Sequence, residues 1–298
     1  MMMASISVII PTLDDPLLVQ VIQAAATALA EVAAVIDRWE IIVVGRHPQL
    51  AALKQQLALG EALRIIETVQ PVRPGRARNL GMAAANGDWF FLLDADCVVR
   101  PHWAQQFVAH LQTGKQVVGG GILCGGTGFW ALAYNLSFFH EFLASQAPGY
   151  KRYLPTLNLA LRRTVYEQVG DLDEQLPRAE DLQWTIRMAL AGYTLYFEPQ
   201  AAVTHHSRCS SRAAFWQTWR ISGYYSRRNR LAFSAYYQTP GLLAYPGLVG
   251  LLAPVIALGV TGKVWLKTRE VRRHLHVVPA IYLGRVAWCL GASQLSAE

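Results

Sequence analysis

Three features of the sequence predict an α/β fold, a parallel sheet with helices on both faces, followed by a helical tail. Short apolar runs with strand character alternate with helical periods over the first third of the chain. Strands without a polar side belong in sheets buried on both faces. An acidic pair, Asp94 and Asp96, directly follows one of these runs, and open α/β sheets bind ligands beyond the carboxyl ends of their strands. The charge is divided unevenly. Residues 1–199 hold 15 Lys and Arg against 18 Asp and Glu, whereas residues 200–298 hold 12 against 2.

The elements follow in order. Residues 5–10 (SISVII) form a β-branched run that ends at Pro11. DDPLLVQVIQAAATALAEVA is a helix, with Asp15 as the expected N-cap and Pro16 at the first helical position. WEIIVV is the second strand, PQLAALKQQLAL a helix and LRIIET the third strand. RARNLGMAAANGD is a helix closing on Asn86 and Gly87, and WFFLL is the fourth strand. Further on, QVVGGGILCGG is a strand, TGFWALAYNLSFFHEFLASQ an aromatic helix, and LPTLNLALRRTVYEQVGDLDE a strand, a turn and a short helix. AEDLQWTIRMALAGY is a helix closed by Gly192, and TLYFEPQAAVTHHS carries the closing strand.

The chain has 298 residues, of which 53% are hydrophobic and 16% charged. That is apolar for a soluble protein. The formal net charge of +7 is a property of the last third, where basic residues bracket apolar segments; this favours an anionic lipid surface over nucleic acid. Cys97, Cys124, Cys209 and Cys289 form no Cys-x-x-Cys pair, which argues against a zinc site or a thiol redox motif. The N-terminus has no cationic region ahead of its apolar run, so no signal peptide is expected and the catalytic part stays in the cytosol.

Four groups carry chemistry. Asp94 and Asp96 offer hard oxygen ligands for a divalent cation that bridges phosphates, although an acidic surface turn has the same composition. DADCV also fits the nucleophile motif of haloacid-dehalogenase-like phosphatases, but that motif ends the first strand of its domain, and several strand–helix units precede it here. Glu180 and Asp181 open a helix, where carboxylates serve either as macrodipole caps or as a general base for an acceptor hydroxyl. His205 and His206 follow a strand, and one imidazole can complete a metal shell or touch a phosphate. Arg73, Arg76 and Arg78 are either phosphate ligands or a basic loop and helix start.

In chain order, SVIIPTLDD, ARNLGMAAANGDWFFLLDADC, LNLALRRTVYEQVGDLDE and AEDLQWTIRMALAGYTLYFEPQAAVTHH resemble the motifs of family 2 glycosyltransferases with the GT-A fold, over roughly residues 5–210. The resemblance implies an inverting transfer of one sugar from a nucleotide-sugar, with Mg²⁺ or Mn²⁺. It implies that Asp96 ligates the metal, that Asp94 reaches the metal or the ribose, and that Asp181 is the base beside Glu180. Pro11, Thr12 and Asp14 would line the nucleoside pocket, Arg78 would lie near the base or phosphates, and Asn158 beside the donor sugar or acceptor. One departure stands out. The carboxylate usual after the second strand is absent, and VVGRHP places Gly45, Arg46 and His47 there. The Gln-x-x-Arg-Trp mark of processive synthases is also absent. A non-catalytic, membrane-bound binder of sugar nucleotides remains the other alternative.

The expected division is a GT-A domain over residues 1–212 and a basic, aromatic, membrane-associated tail over 213–298, with the catalytic domain on the cytoplasmic side of the cell membrane. Residues 231–262 carry no charge, yet both flanks are basic and Pro240, Pro246 and Pro254 interrupt the run. In-plane helices or a re-entrant hairpin fit this pattern better than a span. The aromatic tail, with Phe129, Trp130, Tyr134, Phe138 and Phe139, suggests a lipid-linked or hydrophobic acceptor, although aromatic residues at helical spacing are also ordinary core.

Overall fold

The computed structural model describes residues 3–48, 50–126 and 128–295. Gln49 and Thr127, which fall in two of the expected helices, lie outside the described residues. The chain divides by packing into two compact units, Met1–Leu123 with Gln146–His205, and Cys124–Ser145 with His206–Glu298. The boundary at residue 212 follows charge and composition; the packing units follow contacts, and they assign the aromatic segment Cys124–Ser145 to the second unit.

In chain order the elements are β1 (Ile6–Leu13), α1 (Leu18–Ala30), β2 (Trp39–Arg46), α2 (Leu50–Leu57), β3 (Leu63–Glu67), α3 (Pro74–Ala84), β4 (Trp89–Leu93), β5 (Cys97–Val99), α4 (Trp103–Gln112) and β6 (Val117–Cys124). Then come α5 (Phe129–Phe138), β7 (Gly149–Tyr150), β8 (Asn158–Arg162), α6 (Arg163–Val169), α7 (Glu180–Leu190) and β9 (Leu195–His205). Helices α8 (Arg212–Ala232), α9 (Ser234–Tyr237), α10 (Pro246–Leu251), α11 (Ala253–Lys267), α12 (Arg269–Arg273) and α13 (Val278–Ala292) complete the chain.

Among the described residues, nine strands form one sheet in the order β3-β2-β1-β4-β8-β6-β9-β5, with β7 beside β9. β1 runs parallel to β2 and β4, and β2 parallel to β3, as the alternating strands and helices require. β8 is antiparallel to both β4 and β6, and β9 is antiparallel to β5 and β7. An apolar strand buried on both faces reads the same in either direction, which is why the sequence does not distinguish these strands from the parallel set. The central strands are fully buried: Val8, Ile9 and Ile10 in β1, residues 41–44 in β2 and residues 90–93 in β4.

The helix starts differ in one respect from the sequence reading. α1 begins at Leu18, and Asp15 does not cap it; the Asp15 carboxylate accepts the Leu17 N–H at 2.9 Å, shaping the turn ahead of the helix. The aromatic helix is shorter than its periodicity suggests, ending at Phe138 with turns beyond.

In the second unit, α13 is the central helix. It packs on α8 so closely that a Cβ at Gly291 would lie 1.8 Å from the Arg220 carbonyl oxygen. The aromatic residues of α5 pack in the same unit: Trp130 lies 5.5 Å from Phe215 and Phe138 lies 5.1 Å from Trp219, ring centre to ring centre. Phe139 is buried, Trp130, Tyr134 and Phe138 are partly buried against this core, and Phe129 is exposed. The uncharged run 231–262 is broken into α9, a 3₁₀ turn, α10 and most of α11, with Pro246 and Pro254 in the first turns of their helices. The segment Leu275–Ala292 is long and apolar enough to cross a membrane by length and composition, and 44% of it is buried within the fold. Arg285 within it donates to the Ser137 carbonyl at 2.8 Å and stacks 4.5 Å from the Trp219 ring centre.

Candidate active site

The site lies in the first unit, where the carboxyl ends of β1 and β4 meet the starts of α3 and α7. Pro11 and Thr12, next to the end of β1 at Leu13, are in register with Val44 and Gly45 of β2. Gly45 has φ +135°, and a Cβ there would lie 2.0 Å from the Thr12 carbonyl oxygen. A carboxylate side chain has no room at this position, which gives the departure from the family pattern a steric basis. The buried Thr12 hydroxyl has no hydrogen-bond partner among the described residues. Asp14, with φ 51°, takes a 3.1 Å ion pair from Arg46, and both side chains are well exposed.

β4 ends in Leu93, and the chain turns at once: the Cys97 N–H donates to the Asp94 carbonyl at 3.0 Å. The turn brings two carboxylates together, and each meets a different cationic or potentially cationic group. Arg78, on α3 and 4% exposed, donates to Asp94 at 2.6 Å through one nitrogen and to Glu180 at 3.2 Å through another. His205 ends β9 opposite Cys97, and its Nε2 lies 3.5 Å from Asp96 Oδ2. The Cys97 thiol donates to the other Asp96 oxygen at 3.4 Å. Asp96, Cys97 and His205 thus offer donor atoms within 4.8 Å of one another. Hard carboxylate oxygen with imidazole suits a divalent cation.

These contacts set the charges. Burial pushes the Asp94 carboxyl up, Arg78 opposes this and the Asp96 charge adds to it, so it stays above the usual range. Burial acts the same way on Asp96, but the hydrogen bond and charge of His205 outweigh it and hold that carboxyl low. Burial pushes the Cys97 thiol well up, aided by the Asp96 and Asp94 charges, which favours a neutral neighbour of Asp96 over a thiolate ligand. Arg78 sits between carboxylates that hold its proton more firmly than usual against the effect of burial.

Glu180 and Asp181 open α7 behind Ala179, which takes the left-handed φ of 64°. The two carboxylates differ. Glu180 is buried and tied to Arg78. Burial, then the adjacent Asp181 charge, push it up to about 7 in spite of Arg78. Asp181 is half-buried, and one of its oxygens accepts the Leu182 N–H at 2.7 Å. Among the described residues it makes no direct ion pair within 4.0 Å.

A pH effect follows. Glu180 has a folded pKa of about 7 against an unfolded value of 4.5, so the folded state binds more protons between those limits. Stability is lost as pH rises from about 4.5 to about 7, by up to about 3 kcal/mol, taking 1.36 kcal/mol per unit. Glu180→Gln does not titrate. In metal-free buffer the Tm of the parent relative to that of Glu180→Gln is expected to fall as pH rises from about 4.5 to about 8, on top of a pH-independent change from losing the Arg78 contact; a difference that does not vary with pH contradicts the effect.

Other expected residues are placed elsewhere. Asn158 is fully buried in β8 and its amide is spent within the sheet: it accepts from Trp103 Nε1 at 2.8 Å and donates to Gly121 and Ala201 carbonyls at 3.1 and 2.8 Å. These three bonds tie β8 to α4, β6 and β9. Arg73 donates to the Gln175 carbonyl at 2.7 Å and Arg76 pairs with Glu174 at 3.7 Å, whereas Arg78 pairs with Asp94 and Glu180. His206 lies past the end of β9 and is absent from the donor cluster. Cys97 was missed as a site residue because the sequence reading weighed its thiol only for Cys-x-x-Cys pairing.

Residues 7–170, more than half of the chain, match the family described as Glycosyl transferase family 2. The chain belongs to this family. Residues 89–291 also match Glycosyl transferase family group 2. Glycosyltransferase AglE of Haloferax volcanii is 26% identical over 207 residues, which cover 68% of this chain and 67% of that protein. Pre-mycofactocin glycosyltransferase of Mycobacterium tuberculosis is 27% identical over 146 residues, 47% of this chain and 31% of that protein. The mannosyltransferase PcManGT from Pyrobaculum calidifontis, solved with GDP-Man and Mn²⁺, aligns with a TM-score of 0.56 at 16% identity, over 96% of this chain and 86% of its own. S. aureus TarS 1-349 aligns with a TM-score of 0.52 at 14% identity, over 96% and 90%. The GT-A fold is thus shown, and the family match makes the chain a glycosyltransferase dependent on a nucleotide-sugar. The phosphatase and non-catalytic alternatives fall with it.

Proposed function

We propose that this glycosyltransferase moves one sugar, with inversion, from a nucleoside-diphosphate sugar to the hydroxyl of a lipid-linked or hydrophobic acceptor at the cytoplasmic face of the cell membrane. The observation that carries the reading is the division of labour at α7. Glu180 is consumed by Arg78, while Asp181 beside it is half-buried without a direct ion pair, as a base must be to meet an incoming hydroxyl. Asp181 takes the hydroxyl proton as the oxygen attacks the anomeric carbon from the face opposite the diphosphate. Arg78 fixes Asp94 and Glu180 in place, and Asp94 keeps a second oxygen for the donor's ribose or for a metal. Asp96 and His205 would hold Mg²⁺ or Mn²⁺, whose contribution when bound is to neutralise charge on the departing diphosphate. Pro11, Thr12 and Asp14 line the nucleoside side. The unpartnered Thr12 hydroxyl and the exposed Arg46–Asp14 pair offer the polar groups there.

A thermal-shift screen of nucleoside diphosphates and their sugars, with and without Mn²⁺, tests this reading. At a hundredfold excess over Kd a ligand of the folded state stabilises it by about 2.7 kcal/mol, a readily measured rise in Tm. One nucleobase is expected to stand out, and only with Mn²⁺. Equal, metal-independent responses to every nucleotide would overturn the assignment of the site.

A further inference from the structure

We propose that α10 and α11 seat the enzyme in the plane of an anionic bilayer, through an exposed apolar face edged by Lys263, Lys267, Arg269, Arg272 and Arg273. This deepens the membrane part of the reading above and uses none of the donor-site residues.

The face is built by helical spacing. Along α11, Ala253, Ala257, Thr261 and Val264 recur at intervals of three and four and are buried within the second unit. The opposite side is not polar, as it is on an ordinary surface helix. It carries Val255 and Leu258, 70% and 67% exposed, then Trp265 and Leu266. Leu248 and Leu251 of α10, the latter 75% exposed, continue the apolar surface. Single exposed apolar residues are normal, but a run of them along two consecutive helices marks a binding surface. A cleft of about 480 Å³ lined by Leu258, Trp265, Leu275 and Pro279 lies on this unit and has room for the end of an acyl chain.

The charge pattern selects the occupant. Lys263 and Lys267 flank the apolar stripe of α11, and Arg269, Arg272 and Arg273 follow on α12; all five are exposed. Glu270 is the one acid between residues 200 and 297. A second copy of the chain meeting this face about a two-fold axis would bring two cationic edges together. A nucleic acid would match the edge and leave the apolar face in water. An anionic bilayer satisfies both, with acyl chains under the leucines, phosphates beside the cations and Trp265 at headgroup level. The helices lie in the plane. α11 has 15 residues, about 22 Å at 1.5 Å each, short of a hydrocarbon core of about 30 Å. Its inner side is also occupied by α13.

Sedimentation of the full-length protein with vesicles tests the seat. Binding is expected to vesicles of phosphatidylcholine with phosphatidylglycerol, to weaken with salt, and to fall by roughly tenfold or more on phosphatidylcholine alone. The variant L251E/V255E/L258E is expected to lose vesicle binding at unchanged Tm. The second variant, K267Q/R269Q/R272Q/R273Q, removes only exposed cations and is expected to lose the preference for phosphatidylglycerol. Mn²⁺-dependent nucleoside-diphosphate binding is read in parallel, so failure of the donor site and failure of the seat are told apart. The proposal is overturned if the parent ignores both vesicles, if it binds them equally, or if both variants bind like the parent. It is also overturned if the parent is a dimer that L251E/V255E/L258E converts to a monomer with no vesicle binding in either.

Discussion

Replacing Asp181 by Asn is expected to lower kcat by roughly 10²–10⁴-fold while donor binding persists, the usual contribution of general base catalysis. The substitution is nearly isosteric, and the asparagine oxygen can still accept the Leu182 N–H that Asp181 holds at 2.7 Å. The start of α7 should therefore survive. What is lost locally is one negative charge at a helix N-terminus, worth about 0.3–1 kcal/mol, which a Tm measurement will show separately. The neighbouring Glu180 provides the contrast. It is buried against Arg78, so its removal acts on stability and on the position of Asp94 more than on proton transfer. A kcat equal to that of the parent in Asp181→Asn would reduce Asp181 to a helix-start charge and leave the reaction without its assigned base.

The difference between these two carboxylates marks how far the sequence could be read. β1, β4 and α7 were legible because each is contiguous: an apolar run or a helical period, with its acidic motif directly attached. The partner of the Asp94–Asp96 pair was not. Arg78 stands 16 residues from Asp94 and 102 from Glu180, and only the packing of α3 beside β1 brings the three together. The same holds for His205, singled out from His206 by the register of β9 against β5, which no local pattern encodes. Asn158 shows the reverse case. Its motif was visible, but the three hydrogen bonds of its amide reach α4, β6 and β9, and no local pattern encodes these partners. Gly45 falls between: its presence was legible as a departure, and the 2.0 Å approach to Thr12 that demands it was not.

Asp96→Ala is expected to abolish sugar transfer and, with it, the Mn²⁺-dependent stabilisation by nucleoside diphosphate, while the fold survives. Asp96 is the better of the two aspartates for this test. Asp94 accepts from the buried Arg78 at 2.6 Å, and its removal leaves that guanidinium with Glu180 alone. That guanidinium is 4% exposed, so losing a partner there destabilises the fold, and a dead Asp94 variant would not separate unfolding from chemistry. The Asp96 side chain is 24% exposed and its near neighbours are His205 and the Cys97 thiol. Without the carboxylate Asp94 is relieved of a like charge, and the buried Arg78 keeps both of its carboxylate partners. The Tm without ligands should therefore stay close to that of the parent, whereas the rise on adding nucleoside diphosphate and Mn²⁺ should vanish. EDTA should do the same to the parent. Retained transfer in Asp96→Ala, or in the parent with EDTA, would show that the donor atoms of Asp96 and His205 hold no cation needed for the reaction.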